Sequence, residues 1–299
     1  MNHSWDIKIG TLVDGKGSDP AHYIKQILPY GFESFSLTFW ETLGNVDIKE
    51  LAAAIQDVLV ETSAAISSLS IFGNPLEDTS TDKETLRGWE TLIDHAHLFG
   101  TDIVSGFAGR VRGQSIDASI PRFKVIFEPL AKRAADQGVR LAFENCSMGG
   151  TWQTGGWNIA HGPAAWELMF NAVPAKNLGL EWEPCHQMLN LINPLPQLRE
   201  WVNKIFHVHG KCCTIKWDII KKYGIHGPKE YGFHRMPGFG DCNWADIISE
   251  LRWSGFTGSI DIEGYHDPVY RGELEMTGQV HALTYLKYCR GGDLVPNPS

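Results

Sequence analysis

The sequence predicts an α/β protein, a single closed (β/α)8 barrel spanning residues 1–299. Three observations lead there. Strand-like apolar runs alternate with helical patterns eight times along the chain. Each strand–helix unit takes roughly 30 to 40 residues, the repeat a closed parallel barrel needs. No glycine-rich phosphate loop follows the first run, where GSDPAH stands, so the competing doubly wound open sheet lacks its signature.

The elements follow in order. IKIGTLV (7–13) reads as the first strand, and DPAHYIKQILPYG as a helix capped by Asp19 and closed by Gly31. FESFSLTFW precedes DIKELAAAIQDVLVETS, whose apolar residues recur three and four apart. AISSLSIFG precedes TDKETLRGWETLIDHAHLFG, in which Thr81 and Glu84 have capping-box spacing. TDIVSGFAG precedes the long helix SIDASIPRFKVIFEPLAKRAADQG, and VRLAFENC precedes GPAAWELMFNAV. LGLEWEPC is followed by PLPQLREWV. KIFHVHG leads, after a long connection, into NWADIISELRWSG, and GSIDIEGY into EMTGQVHALTYLKYC. Long loops are thus expected after strands five and seven.

Composition narrows the function classes. At 43% hydrophobic and 20% charged, the chain suits a globular protein with a sizeable core. No apolar run approaches the roughly 18 residues that cross a bilayer, so no membrane partner is expected. MNHSWDIKIG lacks a basic start and an apolar stretch, so no secretory leader is expected. Six cysteines without a CxxC pair, the adjacent Cys212 and Cys213 being poorly placed to bridge, read as reduced thiols and hence a cytoplasmic location. The net charge of −9 argues against nucleic acid, and short basic clusters such as Lys221–Lys222 read as solvated helix faces.

In such a barrel, chemistry gathers at the C-terminal ends of the strands. Strand five ends in Phe143-Glu144-Asn145, and strand six in Glu181-Trp182-Glu183-Pro184-Cys185-His186. Strand seven ends in His207-Val208-His209-Gly210-Lys211, and strand eight in Asp261-Ile262-Glu263-Gly264-Tyr265-His266. Any one of these acids alone reads as a salt-bridged strand end. Together they converge on one mouth with few cations, and a divalent ion is the simplest way to keep them ionised. Carboxylates with one imidazole suit Mn²⁺ best, with Mg²⁺, Co²⁺ and Zn²⁺ compatible. The cysteines near the mouth read as packing residues.

These strand ends resemble the xylose-isomerase-like TIM barrels, which include sugar isomerases and epimerases, hydroxypyruvate isomerase, inosose dehydratase and endonuclease IV. Single-metal members carry Glu on strand five, Asp-x-x-His on strand six, His-x-His or His on strand seven and Glu on strand eight. The resemblance implies Glu144, Glu183, His209 and Glu263 as ligands of one divalent ion, although EPCH here replaces DxxH. It implies His186 as a catalytic, substrate-facing neighbour and Glu181 as a supporting or core residue. RMPGFGDCNW resembles the family's Arg-x-Pro-Gly-x-Gly-x-x-x-Trp stretch, which makes Arg235 a candidate for substrate oxygens. Asn145, Lys211, Trp157 and His161 complete the substrate-facing candidates, the last two in the glycine- and tryptophan-rich loop GGTWQTGGWNIAHG. About 25 residues separate His209 from Arg235 where simple epimerases have a few, so this insertion reads as a lid or partner element.

The implied chemistry is proton abstraction next to a carbonyl by Glu144 and Glu263, giving a keto-sugar isomerase or epimerase. The alternative is a lyase that eliminates a group from a keto-sugar or 3-keto-glycoside, with His186, Lys211 or His161 as the acid. A metal-stabilised, non-catalytic binding module is the third reading. The expected partner is an unphosphorylated sugar or glycoside, with self-association or a small second subunit compatible with the loop aromatics. The endonuclease branch fits poorly, because it needs more histidines and a basic face.

Overall fold

The computed structural model describes residues 6–292 together with Val295 and Pro298. Part of the segment read for a leader, residues 1–5, lies outside them.

Eight parallel strands close on themselves in the order β1-β10-β7-β6-β5-β4-β3-β2. They are β1 (Lys8–Asp14), β2 (Ser34–Trp40), β3 (Ala65–Phe72), β4 (Ile103–Gly106), β5 (Arg140–Glu144), β6 (Leu178–Trp182), β7 (Ile205–Gly210) and β10 (Ser259–Ile262). This is the predicted (β/α)8 barrel.

Between successive strands lie α1 (Pro20–Ile27), α2 (Ile48–Leu59), α3 (Ser80–His95), α4 (Ile116–Asp136), α5 (Pro163–Ala172), α7 (Pro194–Trp201), α9 (Trp244–Trp253) and, after the last strand, α10 (Glu275–Arg290). Each turns an apolar stripe onto the barrel, and most buried Ile, Leu, Val and Phe side chains of strands and helices join in one large core. No helix among the described residues is long and apolar enough to cross a membrane.

The helix ends show why the chain breaks where it does. Asp19 caps α1 through the amide of His22 at 2.9 Å, and the short 3-10 turn that follows α1 ends at Gly31 with φ +94°, a conformation glycine adopts at little cost. At α3 the capping box is Thr79 with Asp82, two residues before the expected Thr81–Glu84 pair. Both pairs satisfy the spacing, and the tertiary partner decides. Asp82 is buried and takes a two-pronged contact from Arg112, with Nη2–Oδ1 at 2.6 Å and Nη1–Oδ2 at 2.8 Å. Arg112, then burial opposed by Thr79, leaves the Asp82 carboxyl below its ordinary range. A depressed carboxyl stabilises the fold above its unfolded pKa and loses that contribution as pH falls through the native value. Asp82→Asn is therefore expected to cost about 2 kcal/mol at neutral pH. Chemical denaturation of both proteins across pH should show the gap closing as pH falls below the ordinary aspartate range near about 4.

Two regions depart from the sequence reading. Glu183 opens an extra one-and-a-half-turn helix, α6 (Pro184–Leu189), with Pro184 at its first position. The stretch after β7, expected as a long loop, is built: β8 (Cys212–Ile215) pairs antiparallel with β9 (Gly232–Arg235), with α8 (Trp217–Tyr223) between them. The connection after β5 does run from 145 to 162 without helix or strand.

The cysteine expectation needs correcting as well. Cys212 and Cys242 are joined in a disulfide, their Cα atoms 5.6 Å apart across 30 residues. The bridge ties the root of β8 to the turn before α9. Only Cys146, Cys185, Cys213 and Cys289 are free, so the thiol argument for a reducing compartment loses its basis. Sequence spacing could not show this pair, because the hairpin, not the local chain, brings the two sulfurs together.

Candidate metal and active site

The strand ends place the chemistry. Glu144 is the last residue of β5, Glu183 follows β6, His209 lies in β7 and Glu263 follows β10. All four are buried, and each offers a donor atom within 4.8 Å of the others'. His209 Nδ1 lies 3.3 Å from Glu144 Oε1, 3.2 Å from Glu263 Oε2 and 4.0 Å from Glu183 Oε2.

Burial with little compensation sets the electrostatics. Burial, then the charges of Glu263 and Glu183, pushes the Glu144 carboxyl up to about 7, against the pull of His209. Burial also works to raise Glu263, but Lys211 and His209 overcome it and hold that carboxyl well below the usual range. Lys211 is itself buried and paired with Glu263. Burial lowers the His209 imidazole, yet Glu181, Glu144 and Glu263 around it carry it well above its ordinary value.

The donor atoms fit a cation. Glu183 Oε2 is buried without a hydrogen-bond partner, and Glu263 Oε2 meets only the His209 ring, at 3.2 Å. Buried polar atoms are normally paired, and leaving one unmade costs about 1–3 kcal/mol. Three carboxylates and one imidazole around a common point are the donor set of a hard to borderline divalent ion.

Beside the cluster opens a cavity of about 680 Å³. Of the four cluster residues, Glu144 and Glu263 line it and Glu183 and His209 do not. Lys211, His186 and His234 form part of a polar wall. His186 Nε2 is 2.5 Å from Glu183 Oε1. Across from them stand Trp40, Phe72 and Phe107, with Trp40 and Phe107 edge to face at 6.4 Å.

The remaining candidates fall elsewhere. Asn145 does not reach the cavity; it brackets the Glu183 peptide, its Nδ2 donating to Glu183 O at 2.9 Å and its Oδ1 accepting from Glu183 N at 2.7 Å. Arg235 turns to Asp267, Nε–Oδ2 3.2 Å, and lies over Phe239. Trp157 backs Trp40, ring centroids 5.5 Å apart. His161 is outside the cavity lining, and burial together with Arg110 lowers its pKa to about 4.

Several residues were missed. Asn158 holds the β5 end, donating to the carbonyls of Glu144 and Cys146 at 2.8 Å each. His234 extends the imidazole row from His186 to His266, which the sequence already placed at the end of strand eight, with ring centroids 5.4 and 5.5 Å apart along it. His266 adopts φ +70°, unusual for a residue with a side chain, in a turn that Asp267 holds by accepting from the amides of Met236, Val269 and Tyr270. The HDP triplet at 266–268 was the one available signal. The aromatic wall of β2 to β4 gave none, because such residues look like core.

The sequence profile of the xylose isomerase-like TIM barrels matches residues 24–288. The chain belongs to that family. The rhizopine catabolism protein MocC of Rhizobium meliloti is 26% identical over 164 residues, 53% of this chain and 44% of that protein. The chain thus aligns with less than half the length of that relative. Among solved xylose isomerase-like structures, the E. coli 3-keto-D-glucoside 4-epimerase YcjR superposes with a TM-score of 0.71 at 15% identity, covering 95% of this chain and all of that one. The probable 3-DHS dehydratase AsbF of Bacillus anthracis gives 0.65 at 14% identity, covering 94% and 99%. At such identities these likenesses show the fold.

Proposed function

We propose that this chain is a divalent-metal-dependent enzyme that moves a proton next to the carbonyl of a keto-sugar, an isomerase or epimerase. Glu144, Glu183, His209 and Glu263 would hold one ion, for which Mn²⁺ suits the oxygen-rich donor set best, with Mg²⁺, Co²⁺ and Zn²⁺ as alternatives. When bound, such an ion polarises a sugar carbonyl and acidifies the neighbouring C–H.

One observation carries the reading: Glu144 and Glu263 are the two cluster carboxylates that also face the cavity. Glu263, held ionised by Lys211, would take the proton, and Glu144, the other cluster carboxylate on the cavity wall, would return it. His186, anchored on Glu183, and Lys211 orient the sugar oxygens, while Trp40, Phe72 and Phe107 exclude water from the opposite wall. The family relatives named as an epimerase and a dehydratase agree with enolisable sugar-like substrates.

A lyase is the second reading. It is favoured by His186 on the cavity wall, whose imidazole burial lowers but Glu183 carries well above its ordinary value, a proton donor for a departing group. Incubating keto-sugars and their glycosides with metal-loaded protein in D₂O separates the two. Solvent deuterium in an isomer with an unchanged hydroxyl count is the expected result; an unsaturated ketone or a freed aglycone indicates the lyase. No exchange from any substrate, with metal demonstrably bound, would leave a binding module and overturn both.

A further inference from the structure

Three of the four strands that end in the cluster carry a second polar residue two positions earlier: Glu181 before Glu183, His207 before His209 and Asp261 before Glu263. Side chains repeat every second residue on a strand, so these three project into the barrel directly beneath the cluster. Barrel interiors are normally layers of branched apolar residues. Here all three are fully buried.

They form a chain. Asp261 Oδ2 meets His207 Nε2 at 2.6 Å, and His207 Nδ1 meets Glu181 Oε1 at 2.8 Å. Glu181 Oε1 then lies 3.3 Å from His209 Nε2, the ring nitrogen opposite the one that faces Glu144 and Glu263. Outer partners fix the chain from neighbouring strands. Ser105 donates to Glu181 Oε1 at 2.7 Å, Ser34 to Asp261 Oδ1 at 2.5 Å, and Ser67 to Asp261 Oδ2. Room is made for it as well: a Cβ on Gly10 of β1 would overlap Ser34 O and Asp261 Oδ1.

Glu181, His207 and His209 also approach one another closely enough to suggest a second ion site. That alternative fails on donors, because both ring nitrogens of His207 already face carboxylates at hydrogen-bond distance.

We infer that Glu181, backed by His207 and Asp261, is a positioning residue that holds the His209 ring with Nε2–H toward the barrel interior and the Nδ1 lone pair toward the three carboxylates. The inference rests on the metal-site reading above and extends it below the ligands. Imidazoles that bind metals commonly donate their other N–H to a carboxylate, and removing that partner weakens metal binding about 10- to 100-fold.

The test titrates Mn²⁺ by calorimetry into chelator-stripped wild type, Glu181→Gln and Asp261→Asn, with Co²⁺ absorption as a second readout. Glu181→Gln is expected to bind Mn²⁺ about tenfold more weakly and to shift the Co²⁺ band. Asp261→Asn should do so by roughly threefold, and it carries the test alone if the first variant does not fold. A purely structural role would lower the unfolding midpoint of the stripped protein and leave affinity and spectrum unchanged, and that result overturns the inference. Wild type that takes up no ion fails the metal-site reading itself, an outcome distinct from equal affinities across the three proteins.

Discussion

Glu263→Gln is expected to lower turnover about 10³- to 10⁴-fold at saturating metal, the scale of a lost general base. Glutamine keeps the shape and an acceptor for Lys211, so the barrel should persist. It removes the charge that takes the proton. Lys211 Nζ is buried against Glu263, and an ammonium left without its partner destabilises the fold, so a lower unfolding midpoint is expected too. The diagnostic measurement is single-turnover proton exchange with a keto-sugar in D₂O at a metal concentration shown to saturate the variant. Exchange at the wild-type rate would take Glu263 out of the chemistry.

Stripping the metal is expected to abolish turnover and to change how stability depends on pH. In the stripped protein Glu144 is raised to about 7 by burial and by its carboxylate neighbours. A carboxyl raised above its unfolded value holds its proton more tightly in the native state. Its contribution therefore favours the fold at low pH and is lost as pH climbs from about 4.5 through 7. An ion displaces that proton and removes the slope, adding about 2.7 kcal/mol of stability at one hundred times its dissociation constant. Thermal unfolding from pH 5 to pH 8, with and without Mn²⁺, should show midpoints diverging as pH rises. Parallel curves would contradict the cation's place among these carboxylates.

What the sequence made legible was the periodic part. Alternation by two on LGLEWEPC and KIFHVHG put acids and histidines on one side of their strands, and barrel geometry sent those sides to one mouth. The structure gathers Glu144, Glu183, His209 and Glu263 there. Less legible were contacts that only the closed fold creates. The Cys212–Cys242 bridge depends on the β8–β9 hairpin, and Arg235 finds Asp267 across 32 residues. Asn145 looked like a substrate contact because it follows a candidate ligand, yet its amide serves the Glu183 backbone. The aromatic wall was hidden for another reason. Trp40, Phe72 and Phe107 sit at or beyond strand ends whose other apolar residues are core, and composition does not mark which of them face open space.

Anomalous diffraction from crystals soaked in Mn²⁺ tests the central claim most directly. A single strong peak is predicted among the carboxylate oxygens of Glu144, Glu183 and Glu263 and Nδ1 of His209. A fully soaked crystal with no peak there, or with manganese bound only elsewhere, would contradict it.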